Sequence, residues 1–198
     1  DSLTHYLVNS VLFGGAGVDS IQTFAGANSI VMGGAGGDAI RANIAPDASG
    51  AQTVLAFNKS DGADTVAQLA AGSTISIGGG TLYGNLSLEA VGSGLRLKTG
   101  SSHYVYLSDW YAGGAAVSTL QIVIEGTRDY KPTSSNPINK WKIQAFDFAG
   151  LVADFDAARA AGKTFSVANS LAAHWRWASD TEAIGGAVAY QYARTGSL

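Results

Sequence analysis

The sequence predicts a mostly β protein that ends in α-helices. Glycine-rich segments recur at intervals of about nine residues in the first third of the chain. Short runs of alternating apolar and polar residues fill the middle, and apolar residues three to four positions apart dominate the end. Alternation is typical of strands, and the wider spacing is typical of amphipathic helices. We therefore expect three zones, residues 1–66, 67–142 and 143–198, within one continuous structural unit.

Two nine-residue segments near the N-terminus match each other closely. Residues 14–22 read Gly-Gly-Ala-Gly-Val-Asp-Ser-Ile-Gln, and residues 33–41 read Gly-Gly-Ala-Gly-Gly-Asp-Ala-Ile-Arg. Both fit the nonapeptide G-G-x-G-x-D-x-U-x, in which U is a large apolar residue, and this nonapeptide is a known calcium-binding repeat. Because two copies occur in register, calcium binding is the stronger interpretation of these segments, and glycine turns with a purely structural role are the weaker one.

Weaker copies of the nonapeptide surround these two. Residues 23–31 keep the fourth-position glycine but carry Asn28 in place of the aspartate. Residues 59–67 keep a glycine, the aspartate and the apolar position, whereas residues 5–13 keep little more than the apolar position. The successive apolar positions, spaced 9, 9 and 10 residues apart, are Leu12, Ile21, Ile30 and Ile40. This spacing predicts that Met32 is a one-residue insertion.

The residue types of the repeat suit a hard cation. Glycines permit positive φ angles that turn backbone carbonyl oxygens toward one point, and the aspartate adds a charged oxygen. Calcium accepts six to eight oxygen ligands in irregular geometry, whereas magnesium demands a tight octahedron and retains water. The sequence therefore predicts Ca²⁺ as the cofactor.

The spacing of the repeats also predicts which turns share an ion. In a two-sheet roll, successive nonapeptides turn on opposite edges, so turns two repeats apart stack on the same edge. Asp19 and Asp38 are 19 residues apart, which predicts one shared ion. The candidate ligands on this edge are Gly14, Ala16, Asp19, Gly33, Gly34, Gly36 and Asp38. Ser10, Asn28 and Asp47 are poorer candidates on the opposite edge, and Asp61 and Asp64 form a second candidate site.

The middle of the chain predicts short antiparallel strands that extend the sheets. A strand at 53–57 follows a loop at 42–50, and a second loop occupies 131–139. The strands predicted between these loops by alternation and by glycine-containing turns are 74–77, 86–89, 95–98, 104–107 and 120–125.

The C-terminal zone predicts helices that cap the open end of the strands. A helix is expected over 145–161, ended by Gly162, and a poorer one over 167–178. The run Ser179-Asp180-Thr181-Glu182 is a capping-box signature for a last helix that stops at Gly196. The apolar residues expected at the contact with the strands are Phe146, Phe148, Leu151, Phe155, Trp175 and Tyr192.

The composition of the chain excludes several classes of site and of function. The chain has no cysteine, which excludes disulfides and thiolate sites. Its net charge is −3 and its 12 basic residues are scattered, so no nucleic-acid-binding surface is expected. No apolar run reaches the 18 residues of a membrane span. Because the chain starts at Asp1 without a methionine or a signal peptide, we expect it to be part of a longer protein.

Other candidate sites are weaker. No two of the three histidines have zinc-ligand spacing, and no nucleophilic triad or phosphate loop occurs, so no enzymatic activity is predicted. Asp156 and Arg159 are expected to form an i, i+3 pair on a helix, and Asp147 and Asp154 to lie on or beside that helix. The aromatic residues Tyr104, Tyr106, Trp110, Tyr111, Trp175 and Trp177 predict either a carbohydrate-stacking platform or, more simply, packing between sheet and helices.

The chain resembles the C-terminal region of RTX proteins, the haemolysin-type calcium-binding proteins that Gram-negative bacteria export by type I secretion. Besides the repeats, the resemblance rests on residues 57–66, 109–111, 146–151 and 189–192, and it covers nearly the whole chain. It implies a parallel β-roll that folds on calcium outside the cell, followed by a capping region and a secretion signal. This chain departs from the family in having few intact repeats and in stopping at Leu198.

The resemblance implies a function and partners. The expected function is a calcium-binding module that folds outside the cell and stabilises the C-terminal end of a larger secreted adhesin or toxin. The alternative is a module of an adhesin that binds carbohydrate or another surface ligand. The partners implied are calcium ions, upstream RTX repeats of the parent protein, and the type I secretion machinery or a host-surface ligand. The implied location is extracellular or on the cell surface.

Overall fold

The computed structural model describes residues 1–7, 9–24, 28–42, 52–69, 72–113 and 117–198. Within these ranges the protein is mostly β, with two seven-stranded sheets and helices concentrated toward the C-terminus, as the sequence predicts. The strands are β1 (Ser2–His5), β2 (Val11–Ala16), β3 (Ser20–Thr23), β4 (Ile30–Ala35), β5 (Ala39–Ala42), β6 (Val54–Phe57), β7 (Ala63–Ala67), β8 (Ser73–Ile77), β9 (Ser87–Val91), β10 (Gly94–Lys98), β11 (Tyr104–Leu107), β12 (Val117–Val123), β13 (Ile143–Asp147) and β14 (Trp175–Ser179). The α-helices are α1 (Pro137–Lys140), α2 (Phe148–Ala160), α3 (Val167–Ser170) and α4 (Gly186–Thr195).

The first eight strands alternate between the two sheets. Sheet A has the order β1-β3-β5-β7-β11-β10-β9, and sheet B has the order β14-β13-β12-β8-β6-β4-β2. All pairs among β1, β3, β5 and β7, and among β2, β4, β6 and β8, are parallel. The strands β11 and β12 join β7 and β8 in parallel, and the remaining pairs in each sheet are antiparallel. The predicted strand at 74–77 is therefore present, but both of its neighbours run parallel to it.

The large apolar residues of the repeats stack in register between the sheets. In sheet A, Leu3, Ile21, Ile40 and Val66 are successive partners across neighbouring strands. In sheet B the corresponding partners are Leu12, Val31, Leu55 and Ile75. All except the partly buried Leu3 are buried, and all belong to one core that both sheets share. Burial of these side chains is the main apolar contribution to holding the sheets together.

The predicted register of β4 is wrong by one residue. Val31, and not Ile30, pairs with Leu12 and enters the core, while Met32 pairs with Phe13. Met32 is therefore not an insertion, because the ten-residue interval between core positions is the one from Ile21 to Val31. Because side chains alternate along a strand, Ile30 and Met32 point to the outer face of sheet B. There they join a second apolar cluster with Tyr192.

The helices occupy two different places. The apolar side of α2, which includes Phe148, Leu151 and Phe155, belongs to the main core with the strands. In contrast, α4 lies against the outer face of sheet B, where Tyr192 packs with Met32 and against the ring of Phe13. Helix α4 therefore covers a sheet face rather than the open end of the strands. None of the helices in the described ranges is long and apolar enough to cross a membrane.

Strand pairing shortens two of the predicted helices, and two other predicted boundaries also differ from the structure. Residues 143–147 form β13, so the helix expected over 145–161 begins only at Phe148, after the N-cap Asp147. The helix expected over 167–178 is only a single turn, α3, followed by a 3₁₀ turn and by β14, which pairs with β13. The Ser179 hydroxyl accepts hydrogen bonds from the amides of Thr181 and Glu182 as predicted for a cap, but the helix begins later, at Gly186. The predicted loop at 131–139 contains the start of α1.

Candidate metal centre

Aspartates stack along one edge of the parallel strands. The backbone N–H of Asp19 donates to Asp38 Oδ1 at 2.8 Å, and the backbone N–H of Asp38 donates to Asp64 Oδ1 at 2.9 Å. The N-terminal ammonium of Asp1 contacts Asp19 Oδ1 in the same way. We call Asp19, Asp38 and Asp64 the aspartate column. Their residues are only 2 %, 2 % and 1 % exposed, so the column is a buried line of carboxylates.

Two oxygens of this column lack a hydrogen-bond donor. Asp19 Oδ2 and Asp38 Oδ2 are buried, and neither has a partner within the protein. Each lies against the glycine turn of its own repeat, because a Cβ atom on Gly14 would be 2.8 Å from Asp19 Oδ2, and one on Gly33 would be 2.3 Å from Asp38 Oδ2. An unsatisfied buried acceptor costs about 1–3 kcal/mol, and a charged one costs more. A positively charged partner at these oxygens would offset this cost.

Glycines form a second column beside the aspartates. Gly15 and Gly34 share a φ of 101°, and Gly17 and Gly62 have φ of 117° and 116°. The turns stack without space for side chains, since a Cβ atom on Gly34 would lie 1.8 Å from the Gly15 carbonyl oxygen. The Gly17 amide donates to the Ala35 carbonyl at 2.8 Å, so the turns continue the hydrogen bonding of the strands.

Asp61 has a different environment from the aspartate column. Its Oδ2 accepts hydrogen bonds from the Asn58 backbone N–H at 2.6 Å and from the Tyr192 hydroxyl at 2.8 Å. Its own carbonyl accepts from the Gly36 amide at 2.5 Å, which aligns Asp61 with the third position of the nonapeptide rather than with the aspartate position. Asp61 is therefore bound by protein donors, and only Asp64 of this pair extends the column.

Burial and mutual repulsion raise the pKa values of Asp38, Asp61 and Asp64. Burial raises the pKa of Asp64 to about 7, and the neighbouring Asp38 and Asp61 charges add to this rise. Burial also raises the pKa of Asp61 to about 6, against the opposing effect of its hydrogen bonds with Asn58 and Tyr192. The pKa of Asp38 is raised as well, first by burial and further by Asp19. In the absence of a bound metal ion, ionisation of Asp38, Asp61 and Asp64 therefore destabilises the fold.

These pKa values predict how stability depends on pH in the absence of calcium. The folded-state pKa values of Asp61 and Asp64 lie above the ordinary value of 3.8, so these groups stabilise the fold fully below about pH 4, and that contribution is lost as the pH rises through 6 and 7. In EDTA, the free energy of unfolding should therefore be several kcal/mol larger at pH 5 than at pH 7.5. Far-UV circular dichroism at the two pH values, with urea denaturation wherever a folded baseline exists, measures the difference. An Asp64→Asn variant should show a smaller difference in the free energy of unfolding between the two pH values. Equal stability of the unsubstituted chain at both pH values would contradict the expectation.

The structure brings most of the predicted ligands to one edge. The residues at the ends of the adjacent strands β2 and β4, or between these strands and β3 and β5, are Gly14, Ala16, Asp19, Gly33, Gly34, Gly36 and Asp38. Asn28 lies at the opposite edge, in a left-handed conformation with φ of 56°, and its amide donates to Asn9 Oδ1 at 3.3 Å. Ser10 follows Asn9 at that edge, and Asp47 lies outside the described residues. Across the described ranges, no three side chains of His, Cys, Asp or Glu converge as a metal-binding group. A cation at the column would therefore depend on backbone carbonyls as well as on carboxylates.

Sequence reasoning missed one member of the repeat. Asp1, Ser2 and Leu3 fit the D-x-U part of the nonapeptide, and Ser2 and Leu3 pair with Ser20 and Ile21. The signal was present, because Leu3 stands nine residues before Leu12. The contact between Asp61 and Tyr192 was also missed, and no local pattern predicts it, since 131 residues separate the two.

The other candidate residues have local partners. The predicted pair of Asp156 and Arg159 is confirmed, with a distance of 3.1 Å between Oδ1 and Nη2. Asp154 contacts His174 at 2.8 Å. Asp147 accepts from the Gly150 amide as the N-cap of α2, and this hydrogen bond contributes most to lowering its pKa.

Several of the aromatic candidates are engaged in packing. The Arg96 guanidinium lies 4.3 Å from the ring centroid of Tyr104. Trp110 packs edge-on against Phe148, with 5.4 Å between ring centroids. Trp175 donates from Nε1 to Gln144 Oε1 at 3.0 Å. These contacts favour the packing interpretation for Tyr104 and Trp110, whereas Trp175 remains 37 % exposed.

No protein-family model matches the chain, and no curated protein shows significant sequence similarity to it.

Proposed function

We propose that the chain is a calcium-binding module of the RTX type. Its N-terminal strands would form a parallel β-roll that folds on calcium outside the cell, and its later strands and helices would cap the C-terminal end of a larger protein exported by type I secretion. The observation that carries this proposal is the pair of buried, unpartnered oxygens, Asp19 Oδ2 and Asp38 Oδ2, beside stacked glycine turns.

The strand topology supports the β-roll. In a β-roll, each nine-residue repeat contributes one short strand, and successive strands alternate between the two sheets. Every second strand therefore pairs in parallel within one sheet, and β1 to β8 pair in this way. The turn at the aspartate edge then recurs once per two strands, so equivalent aspartates meet in adjacent turns. A cation bound there joins consecutive coils.

The donor set favours calcium over other cations. The two free carboxylate oxygens are acceptors only, and the described chain has no cysteine and no histidine in the column. Oxygen ligands in a flexible arrangement suit Ca²⁺, whereas Mg²⁺ dehydrates reluctantly and demands regular geometry. Asp19 and Asp38 would hold the ion together with carbonyls of Gly14, Ala16, Gly33, Gly34 and neighbouring turn residues. When bound, the ion supplies positive charge that offsets the repulsion within the column.

The proposal predicts that calcium affinity depends on the aspartate column and not on other acidic residues. Asp19→Asn and Asp38→Asn keep the size of the side chain but each removes one negative charge from the site. Each should weaken calcium binding at least tenfold, because ligand charge strongly affects calcium affinity. Isothermal titration calorimetry at pH 7.5 measures the dissociation constants.

Asp154→Asn is the matched control, because the Asp154 side chain is 58 % exposed on α2 and lies outside the column. This variant should bind calcium as tightly as the unsubstituted chain. Equal dissociation constants for all three variants would reject the shared site, and magnesium in place of calcium should give little binding heat.

A further inference from the structure

Helix α4 is attached to the edge that carries the aspartate column. Tyr192, near the middle of this helix, is fully buried, and its hydroxyl donates to Asp61 Oδ2 at 2.8 Å. The Asn58 backbone N–H donates to the same oxygen at 2.6 Å. Tyr192 of the last helix and Asn58 of the turn that precedes β7 therefore donate to the same carboxylate oxygen.

The end of α4 fits closely onto neighbouring turns. The Ala193 carbonyl accepts from the Gly79 amide at 2.6 Å and from Asn58 Nδ2 at 3.2 Å. Gly78 has no space for a side chain, because a Cβ atom there would lie 2.0 Å from the Ala193 carbonyl oxygen. The position of α4 is therefore fixed relative to the turn that contains Asn58 and Asp61.

That turn is also part of the stacked edge. Gly36 and Gly62 form a parallel bridge, and the Asp61 carbonyl accepts from the Gly36 amide. Asp61 stands three residues before Asp64, which accepts the Asp38 amide. The carboxylate that Tyr192 binds therefore belongs to a turn that is hydrogen-bonded to the stacked edge. A cation in the column fixes this edge, and with it the position of the Asp61 carboxylate that Tyr192 and Asn58 bind.

We propose that calcium binding to the aspartate column and docking of helix α4 are coupled through the contact between Tyr192 and Asp61. In this scheme, which rests on the proposed calcium-binding function, Asp61 serves as the anchor of the helix rather than as a metal ligand. Tyr192 is a positioning residue that acts on the site through Asp61. Coupling between two equilibria is reciprocal, so calcium must tighten α4 onto sheet B by the same factor by which docked α4 tightens calcium.

A second contact of α4 provides a matched control. The Tyr190 hydroxyl donates to Glu125 Oε2, and Glu125 also pairs with Lys142 at 2.8 Å. This contact joins α4 to the end of β12 and involves no residue of the aspartate edge. Tyr190→Phe and Tyr192→Phe each remove one hydroxyl from the same helix and retain the ring.

The test measures calcium affinity and helix protection on the full chain. Titration calorimetry gives the dissociation constant for Ca²⁺, and hydrogen exchange followed by mass spectrometry gives the protection of residues 186–195 in EDTA and in excess CaCl₂. In the unsubstituted chain, calcium should slow exchange in α4 about fivefold or more. Tyr192→Phe should weaken calcium binding by about the same factor and reduce the calcium-dependent gain in protection. Tyr190→Phe should change neither the affinity nor that gain by more than about twofold.

The outcomes separate this coupling from the proposed function. If the unsubstituted chain binds no calcium, both the proposed function and the coupling are rejected. If it binds calcium but Tyr192→Phe and Tyr190→Phe have equal affinities, the coupling alone is rejected. If Tyr192→Phe fails to fold, the unsubstituted chain still decides, with α2 of the main core as the internal reference for calcium-dependent folding: a gain in protection of α4 no larger than that of α2 overturns the coupling, and a larger gain in α4 supports it.

Discussion

In EDTA at pH 7.5 the chain should lose much of its strand structure, and addition of calcium should restore a cooperative fold. The column places Asp19, Asp38 and Asp64 in buried positions at the beginnings of β3, β5 and β7, and burial together with the neighbouring carboxylates raises the pKa of Asp64 to about 7. Ordering the glycine turns around these charges also costs backbone entropy. Since binding of the ion offsets the charge repulsion only in the folded state, its binding free energy becomes folding free energy.

The expected size of this effect follows from mass action. One ion at 100 times its dissociation constant stabilises the fold by about 2.7 kcal/mol. For a chain of this length, that corresponds to a rise in melting temperature of roughly 5–10 °C, and further ions add to it. Far-UV circular dichroism at 25 °C and during heating, in EDTA and in excess calcium, measures both the spectrum and the melting temperature.

Magnesium at the same concentration is the control for a general ionic effect and should restore little structure. An identical spectrum and melting temperature in EDTA and in calcium would contradict calcium-dependent folding. It would leave the glycine turns with a purely structural role.

The sequence predicted the periodic part of the fold well because one physical cause produces the period. Each coil buries one large apolar residue per strand, so Leu12, Ile21 and Ile40 could be recognised from their spacing. The aspartate edge followed from the same period, since Asp19 and Asp38 are one coil apart. Local repetition was sufficient to place these residues side by side.

Local alternation could not predict the register of β4 because its two faces are both covered. Ile30, Val31 and Met32 are consecutive apolar residues, and alternation identifies the inner face of a strand only where the outer face is polar. Here α4 covers the outer face, where Met32 packs with Tyr192. The coil length does favour Val31, because the 19 residues that separate Asp19 from Asp38 also separate Leu12 from Val31.

The C-terminal errors arose from contacts between distant segments. Trp175 and Trp177 lie on β14, and this strand exists because it pairs with β13, about thirty residues earlier. The same holds for the contact between Tyr192 and Asp61, which joins the last helix to the edge of the repeats. Spacing within a segment predicts which face is apolar, but not which partner covers that face.

The second large effect is expected from one glycine of the stacked turns. Gly34→Ala should destabilise the fold severely, by about 4 kcal/mol or more, because the new Cβ atom would lie 1.8 Å from the Gly15 carbonyl oxygen and 2.7 Å from its carbonyl carbon. Those atoms belong to the neighbouring coil and cannot move without disrupting the stacking of the turns. Urea denaturation in excess calcium measures the free energy of unfolding.

Gly15→Ala is the matched control for this substitution. Gly15 has the same φ of 101° as Gly34, so both variants carry the same backbone strain, of order 1–3 kcal/mol. A Cβ atom on Gly15, however, meets nothing within 4 Å, because β2 is the end strand of sheet B. The difference between the two variants therefore isolates the collision with the neighbouring coil. Equal losses of stability would mean that only φ matters at these positions, and that the turns are not packed against one another as tightly as the stacked backbone requires.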